Sequence, residues 1–163
     1  AAEHAAASYL HSLADHALIE SLSNSVFTSE TLNGIGDAIA NREVRGSCLV
    51  SSLGRIHERD ILPQAADYLL KLEGVSTTVV FGIVDDNIHL SARTNNSQVH
   101  IGQLLKGAFD EDGSAGGHHD MAGGQIPLGL LGPVDEDDEV ATDLLNQSVQ
   151  KRLFTALDSW AES

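Results

Sequence analysis

"VSTTVVFGIVDDNIHLSART", residues 75–94, decides how this chain is read. Its first ten residues are mostly β-branched and apolar, the composition of a strand buried on both faces. Asp85-Asp86-Asn87 is turn chemistry. Residues 88–94 then alternate apolar and polar, so they read as the returning strand of a hairpin with one face in the core and one outside. A central strand paired with a half-exposed one makes a sheet the heart of the domain.

Working outward, residues 44–53 form another apolar, β-rich run and read as a strand. Residues 63–73 read as a helix. Pro63 suits its first turn, Ala66, Leu69 and Leu70 make its inward stripe, and Gly74 stops it. On the other side, residues 99–109 place Ile101, Leu104, Leu105 and Phe109 on one helical face. Residues 126–131 read as a short apolar strand or extended segment. Residues 140–160 form a last helix with Val140, Leu144, Val149, Leu153, Leu157 and Trp160 inward. Before the sheet, residues 30–41 read as a helix with Leu32, Ile35 and Ile39 inward and Thr28 or Ser29 as its cap. Gly34 and Gly36 weaken that helix or mark close packing. Residues 4–22 make an N-terminal helical arm through Leu10, Leu13, Ala14, Ala17 and Leu18. The order predicts an α/β (α+β) domain: a mixed sheet flanked by helices, with an N-terminal helical connector and a C-terminal helix. The divisions are 1–43 for the connector, 44–132 for the sheet domain, and 133–163 for an acidic linker and the last helix.

A chain of 163 residues, 42% hydrophobic, buries enough surface for a core without disulfides. Its single cysteine, Cys48, lies in an apolar run and reads as an inert buried thiol. No apolar run approaches the ~20 residues of a membrane span, and no signal peptide is visible, so a cytoplasmic location with no membrane partner is expected. The chain begins on alanine, with five alanines in its first seven residues, and is expected to be a piece of something longer.

Charge is the most unusual bulk property. The formal net charge is −15, from 24 acids against 9 bases. Acid spread over the chain, with little lysine, suggests a halophile's protein, most simply a haloarchaeal one. The same charge would repel nucleic acid in dilute buffer. In molar salt the Debye length falls to about 3 Å, so a nucleotide ligand is not excluded, but affinity must come from short-range contacts.

Chemistry concentrates in residues 113–129, "GSAGGHHDMAGGQIPLG". Adjacent residues such as His118, His119 and Asp120 rarely point at one ion, and none of the i+3 or i+4 spacing of metal helices follows them, so no metal site is assigned. His4, His11, His16, His57, His89 and His100 show no metal spacing either. The glycines let backbone approach a phosphate closely, in a loop that could open a helical turn. His118 can donate to a phosphate or ribose oxygen, Asp120 can cap the turn, and Gln125 can read a base edge. Upstream, Arg93 ends the returning strand, where its guanidinium can fork onto a phosphate or pair with one of the many acids. The two elements could converge at one end of the sheet. Asp85-Asp86 are turn formers, Glu58-Arg59-Asp60 is a helix entry, and Ser51 and Ser52 have no nucleophile-elbow context. No Gly-Lys-Ser/Thr phosphate loop exists, and no catalytic set is complete.

Gly116-Gly117-His118 followed by Ala122-Gly123, with Ser91-x-Arg93 upstream and a helix between, resembles the DHH-associated C-terminal domain. That domain belongs to DHH-family phosphoesterases: RecJ-like exonucleases, nanoRNases, phosphoadenosine-phosphate phosphatases and cyclic-dinucleotide hydrolases. The resemblance covers residues 44–131 and extends through the helical arm. It implies a substrate-binding lobe working beside a separate N-terminal catalytic lobe, which would hold two manganese ions and activate a water. By match, Ser91, Arg93, Gly116, Gly117, His118, Ala122 and Gly123 would contact a nucleotide or short single-stranded nucleic acid. No catalytic residue or cofactor is expected in this chain: Asp15-His16 is followed by Ala17, so the Asp-His-His motif is missing. The parent would be the enzyme and this lobe inactive alone, with a homodimer left open. Asp120-Met121-Ala122 is also similar to the C-terminal domain of alanyl-tRNA synthetases. That supplies the alternative, a non-catalytic RNA- or nucleotide-binding module.

Overall fold

The computed structural model describes residues 27–109, 111, 113–130 and 138–162. The chain divides into two units, Ala1–Leu32 and Asn33–Ser163. The arm helix expected over 4–22 and linker residues 133–137 lie outside the described residues.

The quoted hairpin forms as expected. Strand β3 (Thr77–Val84) pairs antiparallel with β4 (Asn87–Thr94) from Thr77↔Thr94 to Val84↔Asn87. Asp85 and Asp86 alone make the turn, and Asp85 takes a left-handed φ of 52°, which aspartate tolerates. Every residue of β3 but the last is buried, whereas β4 alternates half-exposed and buried along its whole length.

Residues 44–53, read as one strand, are two. β1 (Glu43–Arg45) and β2 (Cys48–Arg55) fold back antiparallel through Gly46 and Ser47. β2 lies parallel to β3. The glycine-rich stretch, read as a loop, is also a hairpin: β5 (Ser114–Gly117) pairs with β6 (Met121–Pro127), and β6 pairs with β4. The mixed six-stranded sheet runs β1-β2-β3-β4-β6-β5. Here backbone pairing overrides the weak strand preference of glycine.

Two helices cover one face. α3 (Ile101–Phe109) buries Ile101, Leu104, Leu105 and Phe109 as expected. α4 (Glu139–Glu162) buries Leu145, Val149, Leu153, Phe154 and Leu157. Val140 and Leu144, expected inward, are 68% and 61% exposed. The first turn of α4 leaves the sheet, so its stripe begins at Leu145. Asp138, from the acidic run, caps α4 by accepting from the Val140 and Ala141 amides at 3.0 and 3.1 Å. These helices close over Val50, Val79, Phe81, Leu90, Ala92, Ala122 and Ile126.

The opposite face is only half covered. α1 (Ser29–Ala40) is capped by Thr28, whose Oγ1 accepts from the Thr31 amide at 3.1 Å. α2 (Ile61–Leu69) starts two residues before the expected position, because proline is tolerated anywhere in a first turn whose amides lack helical partners. It also stops at Leu69, short of the expected residue 73, and turns lead to Gly74. Leu70, expected inward, is only partly buried. Ile35 and Ala38 of α1 and Ile61, Leu62, Ala65, Ala66 and Leu69 of α2 pack on Leu49, Leu53 and Val80. Leu32 and Ile39 of α1, expected inward, are 61% and 36% exposed. Close approach at Gly34, where a β-carbon would strike Ile61, turns the Gly34–Ile35–Ala38 face inward instead. Buried hydroxyls in this layer are satisfied: Ser51 donates to the Ala38 carbonyl at 2.6 Å and Thr78 to that of Ala66 at 2.9 Å. α2 reaches across β3 onto β4, and β6 and β5 lie open beside it.

Candidate functional site

The open half of the sheet is the floor of a cleft of about 560 Å³, walled on one side by the entry to α2. Strand register orders the floor into rows. Ser91 of β4 lies opposite Gly123 of β6, and Gly123 lies opposite Gly116 of β5. Three residues singled out from the sequence therefore stand side by side across three strands. Only the Ser91 hydroxyl rises from that row, which lets a ligand reach the backbone.

Gly116 and Gly117 have φ of 154° and 152°, a conformation that favours glycine. A β-carbon on Gly116 would meet nothing nearby and would stand on the open floor. One on Gly117 would collide with the Ala122 backbone and the Met121 carbonyl. The first glycine keeps the floor clear; the second lets the hairpin close.

Residues 118–120 form the tip of this hairpin. The His118 amide donates to the Met121 carbonyl at 2.8 Å. The tip does not open a helix, as its glycines suggested. It instead caps one: the Ile101 and Gly102 amides, at the start of α3, donate to the carbonyls of His119 and His118 at 2.9 and 3.0 Å. The next amide, Gln103, donates to Nδ1 of His100 at 3.1 Å. A β-carbon on Gly102 would run into the Gly117 carbonyl, so α3 sits hard against the tip. His119, which had no role in the sequence reading, is structural here. Its Nε2 lies 3.1 Å from the Ser97 carbonyl, and its ring meets His100 edge-on at 5.6 Å. The His118 side chain is exposed at the tip and outside the cleft lining.

Arg93 lies opposite Met121, so the strand end and the hairpin tip do share one end of the sheet. Its guanidinium leans towards α2, donating to Asp67 at 2.9 Å and to the Ala92 carbonyl at 2.8 Å. The Asp67 side chain is 61% exposed and that of Arg93 only 12%, so water reaches the pair from the acid's side. A charge-assisted bond to phosphate can compete with it. Ala122 points the other way, into the core beneath α3 and α4, and can meet a ligand only through its backbone.

Two residues with no expected role at the site, Arg59 and His89, also belong to it. Both line the cleft, and both also line an adjoining hollow of about 670 Å³ with Asp85 and Asn87. Burial, and then the Arg59 charge, push the His89 imidazole below its ordinary value, against an opposing pull from Asp85. The alternation of β4 already put His89 on the same face as Ser91 and Arg93. Nothing in the sequence brought Arg59, thirty residues earlier, beside it. Among the described residues, no cluster of three or more His, Cys, Asp or Glu side chains is placed to hold a metal ion. Among them, too, no helix is long and apolar enough to cross a membrane.

Residues 45–151 match the DHHA1 domain, and the chain belongs to that family. An uncharacterized protein of Methanocaldococcus jannaschii is 38% identical over 153 residues, covering 93% of this chain and 31% of its own length. The chain thus spans about a third of that relative. An exopolyphosphatase-related protein from Bacteroides fragilis superposes with a TM-score of 0.51 at 16% identity, over 80% of this chain and 37% of its own. RecJ from Thermus thermophilus does so with a TM-score of 0.50 at 15% identity, over 80% and 18%. At such identities these two structures establish the shared fold.

Proposed function

We propose that this chain is the substrate-binding lobe of a metal-dependent phosphoesterase acting on nucleotides or short single-stranded nucleic acids. Family membership supports the class. The observation that carries the reading is the Ser91–Gly123–Gly116 row, a nearly side-chain-free floor, with Arg93 outside the cleft lining two residues beyond Ser91 on β4. The Ser91 hydroxyl can donate to a phosphate there, the bare strands leave it room, and the Arg93 guanidinium offsets its charge. His118, at the hairpin tip, is set to donate to a phosphate or ribose oxygen of a longer ligand. Hydrolysis belongs to a catalytic lobe elsewhere in the parent protein, where manganese supplies an activated water. No ligand of that metal is assigned to the residues described here. This lobe's part is to hold and orient the ester.

The test is kinetic, on the full-length parent protein with manganese. Arg93→Ala and His118→Ala are each expected to raise KM about tenfold, the worth of one charge-assisted contact, with a smaller loss in kcat. If kcat/KM is unchanged in both, their assigned roles are wrong. Tight nucleotide binding without hydrolysis of any ester would favour the alternative, a non-catalytic binding module.

A further inference from the structure

Beyond the glycine row, the floor of the cleft changes character. Two residues along each strand, about 6.6 Å away, lies the next row: His89 of β4, Gln125 of β6 and Ser114 of β5, again in register. Here three polar side chains stand where the first row has one hydroxyl. Arg59 and Asp60, at the entry to α2, face them across the cleft.

The two rows suit different parts of a ligand. The glycine row carries one hydroxyl and no acid of its own, and its lack of side chains leaves room for a phosphate. The second row has Arg59 and Asp60 on its wall and Asp85 in the adjoining hollow, so the acids cancel the guanidinium and leave a second phosphate no net positive charge. Its own groups are those that recognise a planar, neutral heterocycle. The Gln125 amide presents a donor and an acceptor side by side, as a base edge does. His89 is half-buried in the floor, and with its imidazole held towards the neutral form it offers one donor, one acceptor and a ring face. A guanidinium such as that of Arg59 can stack on a base. The separation of the rows is one that a ribose spans.

We propose that the His89–Gln125–Ser114 row is a nucleobase subsite, so that the cleft takes a nucleotide end and discriminates against inorganic polyphosphate. This rests on the reading of the glycine row as the phosphate seat. Asp60 accepts from a ribose hydroxyl or a base amino group, which gives the acid in the cleft a favourable partner.

The test is an NMR titration of the isotope-labelled full chain in about 1 M salt, where screening removes long-range repulsion of anions. The two probes are a 5′-phosphorylated diadenosine ribodinucleotide and tripolyphosphate. Both should shift the Gly116 and Gly123 amides. Only the dinucleotide should shift the His89 ring and the Gln125 side-chain amide. Gln125 is exposed, so Gln125→Ala should fold normally. It should weaken the dinucleotide about tenfold and leave tripolyphosphate unchanged. A dinucleotide that shifts the glycine amides but not His89 or Gln125, or that binds Gln125→Ala equally well, overturns the base subsite and leaves the phosphate seat standing. If neither probe shifts the glycine amides at saturating concentration, both readings fall.

Discussion

β3 and β6 lie in the same sheet with only β4 between them, yet they are built on opposite terms. β3 is sandwiched by helices and buried nearly throughout. β6 has helices behind it and solvent in front, and carries Gly123, Gly124 and Gln125 in its middle. The covered strand is held by side-chain packing. The open strand is held by backbone pairing, and its lack of side chains creates the room in front of it. Stability and ligand access are thereby assigned to different strands of one sheet.

The largest test of that division is removal of a covered side chain. Phe81 is fully buried, and Phe81→Ala should cost about 3–5 kcal/mol. Thermal or denaturant unfolding measures it, and a loss below about 1 kcal/mol would mean the covered half is not where stability resides. Next come the two hairpin glycines, which share nearly the same φ and differ in surroundings. Gly116→Ala should cost only backbone strain, of order 1–3 kcal/mol, while obstructing the floor. Gly117→Ala carries the same strain plus a collision with β6, and should be the more destabilising of the two in thermal melts. Equal melting temperatures would erase the distinction drawn between them.

The contrast also explains what the sequence made legible. One-sided burial leaves a period, and Ile101, Leu104, Leu105 and Phe109 were placed inward because α3 buries one stripe. Two-sided burial leaves an apolar run, which is why β3 reads clearly. β5 and β6 leave neither signal, because glycines have no side chains to bury, so a hairpin reads as a loop. The break at Gly46 was hidden by apolar residues on both sides. Ser91, Gly116 and Gly123 could be named from their motif, but their alignment in one row depends on register across three strands. Arg59 was out of reach altogether, since its nearness to His89 arises only when α2 lies against the sheet.

The smallest expected effect belongs to His89, on the open side. Its folded imidazole lies below the ordinary value of 6.5, so protonation is harder in the folded chain than in the unfolded one. Its contribution favours the folded state above pH 6.5 and is lost as pH falls through the lowered folded value. His89→Gln should flatten that part of a melting-temperature profile taken between about pH 5 and 8. An unchanged slope would mean that His89 does not experience the burial and the Arg59 charge assigned to it.

The hydrogen bonds from the first amides of α3 to the carbonyls of His118 and His119 have a mechanical consequence. The helix lies on the far side of the sheet from the cleft, fastened by Leu104 and Leu105 into the core. The histidine tip is therefore moored to an anchor on the reverse face. A ligand that drew the tip inward would have to drag the head of α3 with it, or part those bonds. The range of movement open to the cleft's rim is set by how firmly a hidden helix is seated.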